Sequence, residues 1–185
     1  MAYLNLGYLL LNNGRPAEAI PYLDRGLALK PDVPEAYHSR GDAALAMGRP
    51  DEARTFYERT LQVAPSYAPA YNALGLLLLD QGKMVEAAEE FQRAARLRPD
   101  LSYPLYNLGN ISAARGNFEE AEAYYERALQ IDPEFAKAHN NLANVYAYRG
   151  KIEQAITHYE KALELQPDLA EARKNLDKVR AGFRR

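Results

Sequence analysis

Apolar residues recur along this chain at spacings of three and four, which is typical of amphipathic helices. The clearest example runs from residue 136 to residue 167, where one such pattern precedes Gly150, a second follows it, and Pro167 closes it. A glycine can take the left-handed conformation that ends a helix, and a proline cannot continue a helical hydrogen-bond ladder. The pattern therefore predicts two antiparallel helices joined at a glycine.

The same pattern returns every 34 residues without an insertion or a deletion. Three small or rigid residues mark each copy, and these are the joining glycines Gly14, Gly48, Gly82, Gly116 and Gly150, the alanines Ala19, Ala53, Ala87, Ala121 and Ala155, and the prolines Pro31, Pro65, Pro99, Pro133 and Pro167. We predict five repeats, at 1–33, 34–67, 68–101, 102–135 and 136–169, and a capping helix at 170–185, all within a single domain at 1–185.

Small and large residues alternate at fixed positions inside each repeat. In the third copy, Tyr71 and Leu74 are followed by Gly75 on the first helix, and Phe91 lies between two alanines on the second. Small against large is the arrangement by which packed helices reach the density of a protein interior. We therefore expect Gly75 to let the second helix approach closely. Asn117 followed three residues later by Glu120 resembles a capping box.

The period and these residues resemble the tetratricopeptide repeat. The resemblance covers nearly the whole chain and implies an all-α fold, an alpha-alpha superhelix (solenoid) of antiparallel helix pairs with about eleven helices. It also implies that the first helices line a concave groove and that the protein is an interaction scaffold. Arg40, where the family has leucine, and Ala143, where it has glycine, depart from the pattern.

Composition excludes several classes of partner. A hydrophobic content of 48% and a charged content of 26% are those of a folded, soluble chain. A net charge of -2 provides no basic field for nucleic acid. The longest apolar runs fall far short of the roughly 20 residues that span a bilayer, so no membrane partner is expected. The absence of cysteine excludes disulfides and fits a reducing compartment, and we expect a cytoplasmic location.

No set of residues suggests catalysis, a metal site or a cofactor. The three histidines, His38, His139 and His158, form no pair at i, i+3 or i+4, and no acidic residues complete a ligand set around them. His139 stands at a position filled by Tyr37 and Tyr71 in other repeats, which indicates a packing role. Motifs for nucleophilic serine, phosphate loops and zinc proteases are missing. We predict a protein that is not an enzyme.

The predicted groove is rich in asparagine. The residues that we assign to it are Tyr106, Asn107, Asn110, Lys137, Asn140, Asn141, Asn144, Tyr148, Asn175 and Lys178. A carboxamide offers both a donor and an acceptor, which matches a peptide backbone. The recurrence resembles the asparagine ladder of the O-linked N-acetylglucosamine transferase repeat domain, which holds extended polypeptide. The alternative is that these asparagines bond neighbouring helices.

The two ends of the chain differ. The last helix carries an apolar stripe that includes Leu176 and Phe183 and an opposite face that includes Lys174 and Arg180, as a solenoid cap does. The first helix is apolar all round, and such a helix is expected to be buried. Upstream sequence or another copy of the protein would cover it. The residues assigned to this possible self-association surface are Tyr3, Leu4, Tyr8, Leu9 and Leu11.

The sequence suggests three alternative hypotheses for the function of this protein. The leading one is a scaffold that binds an extended or helical segment of a partner protein in the concave groove. The second is self-association through the first helix. The third is the substrate-recruiting fragment of a larger enzyme.

Overall fold

The fold is all α-helical, as the sequence predicted. The computed structural model describes residues 1–183, and these form helices and turns with no strand. The helices are α1 (Ala2–Asn12), α2 (Pro16–Leu29), α3 (Pro34–Ala46), α4 (Pro50–Val63), α5 (Ala68–Asp80), α6 (Met84–Leu97), α7 (Ser102–Ala114), α8 (Phe118–Ile131), α9 (Ala136–Tyr148), α10 (Ile152–Leu165) and α11 (Ala170–Phe183). Residues 184 and 185 of the predicted capping helix, and the side chain of Phe183, lie outside the described part.

The helices belong to two compact units. Unit 1 is Met1–Leu97 and contains α1 to α6, and unit 2 begins at Arg98 and contains α7 to α11. Inside each unit every helix packs against the next one in the chain. That the two units form one domain stays a prediction. Within the described range, no helix combines the length and the apolar character needed to cross a membrane.

The turns follow the glycine and proline pattern. All five joining glycines have φ between 69° and 79°, the left-handed region that other residues rarely adopt. After Gly150, the Lys151 N–H donates to the Tyr146 carbonyl at 2.9 Å, which closes the end of α9. Each second helix ends two residues before its proline. The predicted capping box is wrong: Asn117 makes no side-chain cap, and Glu120 instead accepts a hydrogen bond from Ser112 Oγ at 2.9 Å.

A glycine beneath an aromatic ring joins the two helices of a repeat. A Cβ added at Gly75 would lie 2.6 Å from Cε1 of Phe91, and one added at Gly109 would lie 2.6 Å from Cε1 of Tyr125. Both rings are buried. Burial of a side chain of this size contributes about 1.5–3 kcal/mol to stability. The short distances between the glycines and the rings confirm the prediction that small residues face large ones.

Arg40 occupies the position expected for leucine and is buried, although its Nη1 has no hydrogen-bond partner among the described residues. Its side chain is 6% exposed and lies over the Phe56 ring, with 4.5 Å between the guanidinium carbon and the ring centroid. Nε donates to Asp24 at 2.8 Å and Nη2 donates to Glu52 at 2.6 Å. A buried charge needs partners of opposite charge. Here the helices on either side, α2 and α4, supply them.

The carbonyls of Pro65, Pro133 and Pro167 each accept a hydrogen bond from a side chain of the following first helix. Tyr71 donates its hydroxyl to the Pro65 carbonyl at 2.9 Å, and Arg173 donates to the Pro167 carbonyl at 2.9 Å. His139 takes the same place, with its Nε2 3.0 Å from the Pro133 carbonyl. A carbonyl only accepts, so His139 Nε2 carries the proton.

The tautomer of His139 fixes that of its neighbour. His139 Nδ1 lies 2.8 Å from Nδ1 of His158, nineteen residues later, because α9 and α10 run antiparallel. Since the proton of His139 is on Nε2, His158 donates its Nδ1–H to His139. The sequence spacing gave no sign of this pair. Burial, and then the neighbouring His139, lower the pKa of His158, although Glu126 partly opposes the shift.

We expect Gly75→Leu to destabilise the protein by about 1–3 kcal/mol, because the added atoms meet the Phe91 ring and the core must overpack. Urea unfolding measures the loss. A free energy of unfolding equal to that of the wild type would show that the glycine–ring contact does not hold α5 and α6 together.

We expect stability to fall as the pH drops below about 6.5, the pKa of an ordinary histidine. The native pKa of His158 is lowered, so the unfolded chain takes up the proton first, and this stabilising contribution, complete above that pH, is lost on acidification. Melting temperatures measured from pH 7.5 to 5.5 test this.

The chain itself provides the control for this pH dependence. Other repeats have Tyr71 at the position of His139 and Phe56 at the position of His158. The double variant His139→Tyr with His158→Phe therefore keeps a donor for Pro133 and removes both imidazole rings. The variant should lose less stability than the wild type over the same pH range. Identical pH profiles would count against the histidine pair as the cause.

Candidate functional site

Four of the predicted groove residues meet at one open cavity in unit 2. The cavity has a volume of about 390 Å³. Helices α7, α8 and α9 form it, and its lining residues are Asn110, Ala113, Phe118, Tyr125, Asn141, Asn144, Val145 and Tyr148. None of these side chains is charged, so the cavity offers amide groups, tyrosine hydroxyl and apolar surface.

An aromatic pair forms one side of the cavity. The rings of Phe118 and Tyr148 have centroids 4.0 Å apart and planes inclined at 34°. Tyr148 is 72% exposed. Sequence reasoning missed Phe118, although the sequence held a sign of it: the other repeats have Pro16, Pro50, Met84 and Ile152 at that position, and only this repeat has an aromatic residue.

Asparagines and buried tyrosines form a hydrogen-bonded network in the wall of the cavity. Asn110 Oδ1 accepts from the Tyr125 hydroxyl at 2.8 Å and from Asn141 Nδ2 at 2.8 Å. We call this set, with its copy in the next repeat, the amide network. The copy lies 34 residues on, where Asn144 Oδ1 accepts from the Tyr159 hydroxyl at 2.6 Å and from Asn175 Nδ2 at 3.0 Å.

The tyrosines of the network stay protonated at neutral pH. Burial raises the pKa of Tyr125 above its usual value, and burial followed by the nearby Glu171 raises the pKa of Tyr159 to about 12. A protonated phenol can donate to the asparagine oxygen. These two hydrogen bonds therefore hold the carboxamides of Asn110 and Asn144 in place.

Unit 1 contains two natural variants of this contact. In the second repeat the Tyr57 hydroxyl donates to Oδ1 of Asp42 at 2.8 Å. In the third repeat the buried ring is Phe91, which has no hydroxyl, and the facing residue is Leu76. The first helix thus carries Asn or Asp where the buried ring of the second helix has a hydroxyl, and leucine where that ring is phenylalanine. This correlation is visible in the sequence and could have indicated the network.

The structure corrects two of the predicted groove residues. Asn107 and Asn140 are buried, and Asn140 is only 3% exposed because its side chain packs inside unit 2 and donates to Asn141 Oδ1 at 3.1 Å. Neither is accessible to a ligand here. Among the remaining predicted residues, Lys137 and Lys178 are exposed and Asn175 is half-buried. Tyr106 is half-buried, and its hydroxyl accepts from Asn141 Nδ2 at 3.2 Å.

The structure also corrects the predicted surface of α1. Leu4 is 1% exposed and packs against Gly26 of α2, so it belongs to the core of unit 1. Tyr8 and Leu11 are half-buried. Tyr3, Leu6 and Leu9 are exposed at spacings of three, and Leu9 is 57% exposed. Helix α1 therefore has an exposed apolar face in addition to the apolar face that packs in the core of unit 1.

The described residues contain no cluster of three or more histidine, cysteine, aspartate or glutamate side chains that could hold a metal ion. Two of these side chains, His139 and His158, meet as a pair. Both of its facing nitrogens are bonded to one another.

Solved structures of repeat proteins resemble the chain over most of its length. YrrB, described as a tetratricopeptide repeat protein with an unusual peptide-binding site, is 25% identical, with a TM-score of 0.67 over 94% of this chain and 89% of its own. TTC0263 of Thermus thermophilus, a thermophilic member, is 25% identical, with a TM-score of 0.74 over 96% and 97%. PilF of Pseudomonas aeruginosa is 21% identical and shares the fold, with a TM-score of 0.80 over 96% and 87%.

Family models match nearly the entire sequence. No protein with a curated description matched the chain. Models described as tetratricopeptide repeat match residues 1–66, 38–102, 102–135 and 136–169. The matches at 102–135 and 136–169 each span one helix pair of the structure, and the chain belongs to the tetratricopeptide repeat family.

Proposed function

We propose that this protein is a non-catalytic scaffold that binds a peptide segment of a partner protein, with the cavity of unit 2 as the centre of the site. One observation carries the proposal. The cavity brings an aromatic pair, the half-buried Phe118 and the exposed Tyr148, next to oriented carboxamides. Apolar surface with a few placed polar groups is the usual character of a binding site.

The family and its relatives support this proposal. Tetratricopeptide repeat proteins bind protein or peptide partners, and YrrB is described as having a peptide-binding site. The uncharged lining favours a ligand held by shape, apolar contact and neutral hydrogen bonds over one held by ion pairs. The exposed Lys137 and Lys178 of the predicted groove stay candidate contacts outside this lining.

Tyr148→Ala should weaken peptide binding by about 1–2 kcal/mol or more, since a truncated aromatic anchor typically costs that much. The probe is a peptide selected from a phage-displayed random 12-residue library, and isothermal titration calorimetry measures its affinity. Because Tyr148 is mostly exposed, the melting temperature should change little.

Tyr3→Ala serves as the matched control, because Tyr3 is also an exposed tyrosine but lies on α1 in unit 1. This variant should bind the peptide like the wild type. Failure to select any peptide, or equal affinity of Tyr148→Ala and the wild type, would contradict a binding role for the cavity.

A second candidate function is self-association through α1. The exposed residues Tyr3, Leu6 and Leu9 lie on one face of a helix that contains no charged residue. In unit 2 the position of Leu9 is held by Val145, which is buried on α9 where α8 packs against it. A second copy could cover the open face by pairing α1 with α1, as symmetric dimers do, without repulsion between like charges.

Leu9→Glu should abolish this association, because pairing would bury two unpaired carboxylates. Sedimentation velocity at increasing protein concentration measures the oligomeric state, and Tyr148→Ala is the control that should still associate. A wild-type protein that stays monomeric at the highest concentration would eliminate this candidate.

A further inference from the structure

A second cavity of unit 2 lies at the turn between α8 and α9 and differs in chemistry from the first. It has a volume of about 390 Å³, and we call it the turn cavity. Its lining includes Tyr103 of α7, then Asp132, Glu134 and Phe135 of the turn, and Lys137 of α9. No charged side chain lines the first cavity, whereas the turn cavity has two carboxylates and one ammonium group.

Aromatic rings form one wall of the turn cavity. The ring centroids of Tyr103 and Phe135 lie 4.8 Å apart, and those of Phe135 and Tyr106 are separated by the same distance. Phe135 is buried, whereas Tyr103 is 59% exposed. Phe135 therefore supports Tyr103 from inside unit 2 and leaves much of the tyrosine ring open to a ligand.

The carboxylates of the turn cavity can accept further hydrogen bonds. Asp132 Oδ1 accepts from the Glu134 backbone N–H at 3.1 Å. Within residues 1–183, no side chain forms a hydrogen bond or an ion pair with Oδ2 of Asp132 or with the Glu134 carboxylate. An ionised carboxylate accepts at about four lone-pair sites, so both groups have capacity left for a donor.

The side chains decide which charge the turn cavity favours. Helices α7 and α9 begin beside it and α8 and α10 end beside it, so their opposite dipoles offset one another. The two carboxylates outnumber the single ammonium group of Lys137. Lys137 is exposed, and its flexible stem can turn the ammonium group to solvent. The turn cavity therefore favours a cation.

The other repeats show that the fold does not require these residues. Asp132 and Tyr103 belong to the fourth repeat. The other repeats have Lys30, Ala64, Arg98 and Gln166 at the position of Asp132, and Met1, Glu35, Pro69 and Lys137 at the position of Tyr103. Only the fourth repeat thus combines an aromatic residue with an acidic one. Because the packing of the repeats does not depend on this combination, it indicates a ligand site.

We propose that the turn cavity binds the guanidinium group of an arginine in the partner segment, which stacks on the Tyr103 ring and donates to Asp132. That this arginine belongs to a peptide rests on the proposed peptide-binding function. The uncharged first cavity takes an apolar part of the same segment. Tyr103 and Asn110 are seven residues apart on α7, which is about 10.5 Å, so a 12-residue peptide can reach both cavities.

A guanidinium group fits the turn cavity better than a lysine ammonium group does. It is planar and weakly hydrated, and it stacks on aromatic rings while its edge carries N–H donors. Its face can lie on the Tyr103 ring while its edge donates to Oδ2 of Asp132. An ammonium group is compact and strongly hydrated and does not stack. Arginine is therefore the expected ligand side chain.

The direct test uses the full chain and a blocked arginine, N-acetyl-arginine methylamide, as the probe. Titration followed by nitrogen-15 NMR should shift the backbone amides of residues 132–137. The matched probe is N-acetyl-citrulline methylamide, which has the same shape without the charge and should bind about 10-fold more weakly. The blocked lysine should also bind more weakly than the blocked arginine. The absence of localised shifts, or equal affinity for arginine and either matched probe, would overturn the inference.

Variants of the two contact residues separate stacking from hydrogen bonding. Tyr103→Ala should weaken binding of the blocked arginine about 5-fold, and Tyr103→Phe, which keeps the ring, should restore it. Asp132→Asn should weaken binding about 10-fold and still accepts from the Glu134 N–H. The control is Glu153→Gln, which removes one negative charge at the exposed start of α10 and should bind like the wild type. Unchanged binding by both Tyr103→Ala and Asp132→Asn would contradict the assigned contacts.

The library-selected peptide extends the test to the partner segment. It should contain an arginine, and replacement of that arginine by citrulline should lower the affinity about 10-fold. A peptide that responds to Tyr148→Ala but lacks arginine, or tolerates citrulline, would overturn the arginine inference and leave the proposed function intact. Binding of the blocked arginine, together with a peptide insensitive to Tyr148→Ala, would support the turn cavity and overturn the first cavity as the centre of the site.

Discussion

The close contact between a glycine and a buried aromatic ring is the constraint on which the repeats depend. Gly75 beneath Phe91 and Gly109 beneath Tyr125 leave no room for a Cβ, so the two helices of a repeat approach more closely than larger residues would allow. Every second helix also carries at least one alanine at 0% exposure, such as Ala87 in α6 and Ala121 in α8. In the fifth repeat, Ala143 stands at the glycine position and is buried in the same core cluster as Tyr159.

The same rings connect the core to the candidate site. Where the ring carries a hydroxyl, as in Tyr125 and Tyr159, the buried oxygen needs a partner, and an asparagine on the first helix provides it. That hydrogen bond turns the carboxamide so that its nitrogen is left for the cavity. A requirement of the core thus determines the chemistry of the surface, and repeats with Phe91 or Leu23 in place of tyrosine have no such asparagine.

Much of the fold was predictable because its determinants are local. The glycines that adopt positive φ, the prolines beyond each second helix and the spacing of apolar residues fix helix bounds without reference to distant parts of the chain. The capping box at Asn117 was wrong because Glu120 had a competing partner, Ser112, that no local pattern reveals. Leu4, Asn107 and Asn140 were assigned to binding surfaces but are buried. The pattern of residues on one helix does not show which neighbouring helix covers each of its faces.

The sequence by itself determined the repeat, its period, its family and the asparagine-rich helix faces, because each rests on residues at fixed spacing. Only the tertiary structure decided which asparagine atoms are already bonded, that Phe118 stacks on Tyr148, and that His139 meets His158 across nineteen residues. Those facts depend on side chains from different helices meeting in space. The partner of each directional hydrogen bond depends on how the helices pack against each other. The spacing of residues along one helix does not reveal that packing.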